Sequence, residues 1–342
     1  MSRRTVVVTL LAIALMVWFL RGANLPAVWH HVQQARGDFL LGSLLAVGAN
    51  FIARSIRWRY LLEPIGTARF RTLFRTTVIG FGALAVLPAR LGDLIRPYLL
   101  ARQERLSVPS VAATIVMERV LDLLTVMLLL AVYVWGFASR SNLPSGLMRP
   151  IEVSAAISTA ISVGLLAFMW LVAGHPERIG VMVSAVTRVL PGQLSERVGA
   201  LASAFIGGFA AVRDARVLVM ALLWSIPVWL AVAAQAWLVT IAFGIAMPFV
   251  GTFLLEAVLL VGVAVPTPGA VGGFHEAYRI GVTSFFGASN DAAIAAAIVT
   301  HAISFGAAVV GGAVFMAQDG ISVGNLHDLA ATAQVEGQAS RP

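Results

Sequence analysis

Residues 86–100 read VLPARLGDLIRPYLL, an apolar run interrupted by Arg90, Asp93 and Arg96 and broken by Pro88, Gly92 and Pro97. A guanidinium presents a rigid fork of donors matched to phosphate or carboxylate. The ends of broken helices add free backbone N–H groups that attract an anion. The chemistry this pattern points to is recognition of an anionic or phosphate group on irregular backbone. From charge spacing alone, a solvated loop carrying an Asp–Arg pair reads equally well.

Two further stretches carry charge among apolar residues. Residues 117–124 read MERVLDLL, with Glu118, Arg119 and Asp122. In a helix Glu118 and Asp122, four apart, share a face, and Arg119 points about 100° around it. If the helix begins near Ser110, the two carboxylates lie roughly 12 and 18 Å along it. A charge at the centre of a bilayer costs on the order of 2.5–3.5 kcal/mol, so these groups must face partners or a polar path. A structural ion-pair network and a translocation path both meet that demand, and Arg90 and Arg96 are the natural partners. Residues 263–281 read VAVPTPGAVGGFHEAYRIG, where Pro266, Pro268, Gly269, Gly272 and Gly273 break an apolar region beside His275, Glu276 and Arg279. Pro88 precedes Gly92 by four and Asp93 precedes Arg96 by three; Pro268 to Gly272 and Glu276 to Arg279 repeat both spacings. Paired interrupted segments in the two halves of a chain mark transporter-type sites. Glu256, alone in its apolar run, and Asp122 are candidates for a proton relay, and a packed neutral acid serves equally for Glu256. His301 reads as a hydrogen-bonded core histidine.

The elements that must hold these groups are transmembrane helices. Hydrophobic residues make up 59% of the 342-residue chain and charged residues 12%, with a mean hydropathy of +0.89. A soluble domain carries about 25% charged residues. Apolar runs at 5–20, 39–56, 111–136, 153–173, 217–243, 248–265, 271–286 and 292–316 predict an all-α integral membrane protein. It is a polytopic bundle of about six to eight spans, with re-entrant or broken helices near 72–100 and 248–286. Residues 1–316 form one transmembrane domain, the first run being an uncleaved helix, and 317–342 a disordered cytoplasmic tail. Residues 178–213 carry Leu194, Val198, Leu201 and Phe205 at helical spacing, as an amphipathic helix on the membrane surface or under the bundle would.

All 24 basic residues are arginine. With the N-terminus inside, inner loops hold 18 arginines and outer loops four, namely Arg21, Arg36, Arg140 and Arg149. The positive-inside rule therefore places both termini on the cytoplasmic side of the membrane. Trp18, Trp135 and Trp237 near outer span ends, and Trp58, Trp170 and Trp224 near inner ends, read as interfacial belts. The basic balance is thus a topology signal, and no nucleic-acid partner is expected. The chain has no cysteine, which excludes thiolate chemistry. His275 and Glu276 lack the second histidine of a metalloprotease motif, and no nucleotide or serine-nucleophile motif occurs. No metal, cofactor or enzymatic activity is expected.

RWRYLL at 57–62, LPARLGDLIRP at 87–97, ERVLD at 118–122 and PTPG at 266–269, running on to Glu276, resemble in order the flippase-like transmembrane domain of lysylphosphatidylglycerol synthases. The resemblance covers about residues 5–316. It implies a helical membrane domain with re-entrant elements that moves lipids between leaflets without ATP. In this chain Arg90, Asp93, Arg96, Glu118, Arg119, Asp122 and Glu276 would line the path, with Arg279 beside Glu276. Ala270 and Val271 follow Gly269 where relatives often carry another glycine, and His275 directly precedes Glu276. The 342 residues hold no aminoacyl-transferase domain, so lipid aminoacylation is not implied. The implied partners are membrane lipids with anionic or phosphate head groups, a lipid-synthesis or glycosyltransferase protein, or a second copy of the chain. A non-transporting partner subunit of a lipid, hopanoid or polyprenyl-glycan pathway is the alternative reading.

Overall fold

The computed structural model describes residues 3–87, 92–137, 149, 153, 156–157, 159–164, 167, 214–265 and 267–321. These residues form helices α1 (Arg3–Leu20), α2 (Leu25–Gln34), α3 (Gly37–Leu62), α4 (Phe70–Val86), α5 (Gly92–Glu104), α6 (Val108–Gly136), α7 (Ala215–Ala242), α8 (Gly251–Ala264), α9 (Gly273–Phe286) and α10 (Asn290–Gln318), with one 3₁₀ turn at Pro268–Ala270. The termini follow local chemistry. Asp214 caps α7 by accepting from the backbone N–H groups of Arg216 and Val217. Ser289 accepts from Ala292 at the start of α10, and Gly287, at φ +66°, ends α9 in the left-handed region.

Among the described residues, three helices are long and apolar enough to cross a membrane: α3, α7 and α10. They match the runs expected at 39–56, 217–243 and 292–316. Helix α6 is as long as α10, 29 residues, but carries Glu118, Arg119 and Asp122. The first apolar run turns by 84° from α1 into α2 and could form a fourth, bent span. The expected span at 153–173 lies largely outside the described residues. The surface helix expected within 178–213 and the tail beyond 321 lie wholly outside them.

Two ends of the bundle are defined by ion pairs and loop contacts. At one end Arg69 pairs with Glu104, Arg216 with Glu63, and Arg75 with Asp319. At the other, the Arg36 N–H donates to Ala242 O and Arg279 reaches Asn290. Helices α4 and α5 therefore form a hairpin whose ends, Phe70 and Glu104, both lie at the first end. Helices α8 and α9 form a second hairpin entering from the opposite end, where Gly251 faces the Phe286 ring. A β-carbon on Gly269, in the turn of the second hairpin, would come within 2.8 Å of Ala85 O near the turn of the first. The two interrupted segments read in the sequence are thus opposed helix pairs, with Gly269 of the second set against the end of α4 in the first.

Glycines set how tightly each hairpin closes. A β-carbon on Gly92 would lie 2.4 Å from both Gly80 O and Leu84 N. One on Gly262 would lie 2.4 Å from Gly273 O. Real β-carbons do not approach backbone so closely, so only glycine lets these helices cross at their present separation.

Candidate functional site

The site is built on α3, α5 and α6. Helix α3 continues to Leu62, past the expected end of the second span at 56. Arg54 and Arg57, counted in the sequence as residues of an inner loop, are instead buried, at 6% and 0% exposure. The correction has a physical cause. Apolar Ile56, Leu61 and Leu62 continue the helix, and carboxylates from α6 neutralise the two guanidiniums.

Glu118 and Asp122 share one face of α6, as their spacing requires, and both are buried. Arg54 Nη1 lies 3.3 Å from Glu118 Oε1 and 3.2 Å from Asp122 Oδ2. Arg57 Nη1 donates to Asp122 Oδ1 at 2.8 Å, and to the Ser225 hydroxyl at 3.1 Å. Its Nη2 lies 3.1 Å from Glu118 Oε1. From α5, Arg96 Nη1 donates to both Glu118 oxygens at 3.0 Å. Gly80 makes this reach achievable, because a β-carbon there would meet Arg96 Cβ at 2.6 Å. The Arg96 guanidinium lies 3.9 Å from the centroid of Trp58. Trp58 donates to the Thr114 hydroxyl at 2.9 Å and is fully buried. The interfacial position expected for this tryptophan is therefore replaced by a structural one under an arginine. Trp18 and Trp135 are exposed.

Arg119 points away from the Glu118 face and pairs with Asp93 at the start of α5, and with Asp122 at 3.7 Å. The network thus joins Arg96, Asp93, Glu118, Arg119 and Asp122, five of the residues singled out in the sequence. Sequence reasoning missed Arg54 and Arg57. Their signal was available: Asn50, Arg54 and Arg57 fall at i, i+4 and i+7 on the buried stripe of α3 with Phe51 and Trp58. Arg90, Pro88 and Pro266 lie outside the described residues. Glu276 and Arg279 do not join the network. They pair with each other on α9, and Arg279 Nη1 donates to Asn290 Oδ1 at 3.0 Å. The repeated spacing therefore gives two hairpins of like shape with different ionic partners.

Around the second turn, His301 Nε2 bonds Gly269 O at 2.7 Å, and the Gly272 N–H donates to His275 Nδ1 at 3.3 Å. These histidines fasten the turn to α10 and α9. Glu256 on α8 is buried with neither carboxyl oxygen hydrogen-bonded among the described residues.

Among the described residues the ionic network holds four arginines against three carboxylates. One guanidinium charge is therefore in excess. Beside Arg54, a cleft of about 170 Å³ opens between α3, α4, α7 and α10. Its polar lining is Asn50, Arg54, Gln235 and Ser304, and Phe51, Phe81 and Phe305 are among its apolar walls.

Opposed hairpins inside a helical bundle, with a buried ionic network along one of them, define a multi-span membrane protein with interrupted helices. The sequence profile described as the lysylphosphatidylglycerol synthase TM region matches residues 5–312, and the chain belongs to that family. The chain is also similar to glycosyltransferase AglD of Haloferax volcanii, at 27% identity over 335 aligned residues covering 89% of this chain and 52% of that protein. It therefore spans about half the length of that curated relative.

Proposed function

We propose that this protein moves a lipid with an anionic or phosphate-containing head group between leaflets of a cytoplasmic membrane, without ATP hydrolysis and without chemical change to the lipid. The observation that carries this reading is the buried excess of guanidinium charge on α3, α5 and α6. A head group crossing hydrocarbon loses its hydration, and a preformed cationic lining lowers the barrier for an anion. The two opposed hairpins support it, because interrupted helices are the usual means of bringing polar backbone to membrane depth. Arginine placement supports cytoplasmic termini: with buried Arg54, Arg57 and Arg96 set aside, the inner loops still hold 15 arginines against four.

The test is translocation of fluorescent phosphatidylglycerol, phosphatidylcholine and polyprenyl phosphate analogues in proteoliposomes of pure protein, with empty vesicles as the reference. Movement of an anionic lipid, lowered at least tenfold by Arg90→Ala in a folded protein, is the expected result. No movement of any lipid by folded protein overturns it. That outcome would favour a second reading, a non-transporting membrane partner in lipid or glycan synthesis, which the similarity to the Haloferax glycosyltransferase supports.

A further inference from the structure

We infer that the cleft between α3, α4, α7 and α10 is the seat of the head group, and that it takes a singly charged phosphodiester and discriminates against zwitterionic lipids. The inference rests on the translocation reading and adds to it a place, two donors and a charge rule.

Arg54 is fixed on three sides. Its Nε donates to Asn50 Oδ1 at 3.1 Å, and Asn50 is itself held by donating to Val228 O at 2.8 Å. Its Nη1 is taken by Glu118 and Asp122. The Phe81 ring lies 5.1 Å and the Trp229 ring 6.0 Å from the guanidinium carbon. The remaining nitrogen, Nη2, makes no hydrogen bond among the described residues, and Arg54 lines the cleft. Across it, Gln235 on α7 is 5% exposed, and its Nε2 has no partner among the described residues. A buried amide donor without a partner is costly to keep, and an acceptor arriving in the cleft would relieve that cost. Two donors on different helices, one of them cationic, suit the two non-bridging oxygens of a phosphodiester.

The charge rule follows from the carboxylates. Asp122 accepts from Arg54, Arg57 and Trp229, and Glu118 from Arg54 and Arg96. Neither is left to pair with an ammonium, and the network already carries one positive charge in excess. A monoanion neutralises that excess; a choline or amine head group adds an unpaired cation beside it.

The experiment is binding to the full chain in phosphatidylcholine nanodiscs, read by tryptophan fluorescence because Trp229 adjoins Arg54. The probes are dihexanoyl phosphatidylglycerol, dihexanoyl phosphatidylcholine and inorganic phosphate. Phosphatidylglycerol should bind at least tenfold more tightly than either other probe. Gln235→Leu, which removes the orphan amide at similar volume, should weaken that binding about tenfold, and Gln235→Glu should abolish it. Arg54→Gln threatens the fold, so the Gln235 variants carry the test. Equal affinity for phosphatidylcholine, or unaltered binding in both Gln235 variants, overturns the inference. Inorganic phosphate binding as tightly as the lipid reassigns the cleft to a free anion and overturns the head-group assignment. Running the translocation assay on Gln235→Leu separates the two readings. Transport that ignores Gln235 sinks the cleft alone, and Gln235-dependent binding without transport by wild type sinks translocation alone.

Discussion

Glu118→Gln should be the most damaging near-isosteric change in the chain, and the structure says by how much. Glu118 is 1% exposed and faces three guanidiniums, at 3.3 Å from Arg54, 3.1 Å from Arg57 and 3.0 Å from Arg96. Arg96, 3% exposed, has no other carboxylate partner among the described residues. Neutralising Glu118 leaves that guanidinium buried against Trp58 without a counter-charge. Removing one member of a buried pair costs about 3–5 kcal/mol, most of it the penalty on the stranded charge. The assay is reversible unfolding of the pure protein in mixed micelles. The reasoning also predicts a rescue. Arg96→Met in the Glu118→Gln background removes the stranded charge and fills its place with an apolar chain, and it should restore about 2 kcal/mol or more. A single variant within about 0.5 kcal/mol of wild type, or a double variant less stable than the single one, would refute the account of the network as a charge-balanced unit.

Further predictions follow from packing and topology. Gly92→Ala and Gly262→Ala should each destabilise by about 3 kcal/mol or more, because the new methyl meets backbone at 2.4 Å. Gly48→Ala, whose β-carbon meets nothing within 4 Å, should be neutral or stabilising in the same unfolding assay. Thr114→Val removes the acceptor of the buried Trp58 N–H and should cost about 1–3 kcal/mol, with a shift in tryptophan emission. Because the chain has no cysteine, single cysteines report topology without background. A membrane-impermeant thiol reagent should label His31→Cys in intact cells and spare Ser340→Cys until the membrane is opened, and the opposite pattern would invert the orientation.

How much of this was legible in advance differs between elements. Membrane residence was fixed by composition, since a chain this apolar must be surrounded by hydrocarbon or by itself. Interrupted helices at 72–100 and 248–286 were legible because proline removes a backbone donor and glycine removes the side chain that would hold two helices apart. The common face of Glu118 and Asp122 followed from helical periodicity alone. Their partners did not. Arg54 and Arg57 sit at the end of an apolar run beside further arginines, where local sequence reads as a basic loop, and only carboxylates arriving from α6, more than 60 residues away, make burial the cheaper state. Likewise the spacing shared by the two hairpins foretold like shapes but not like chemistry. Asp93 and Arg96 are drawn to opposite charges on α6, whereas Glu276 and Arg279 find each other on α9. The cleft, with its free guanidinium nitrogen and its unpartnered Gln235 amide, was decided wholly by tertiary structure. It exists because α3 and α4 meet α7 and α10 from far along the chain, and no local pattern records which donors that meeting leaves unsatisfied.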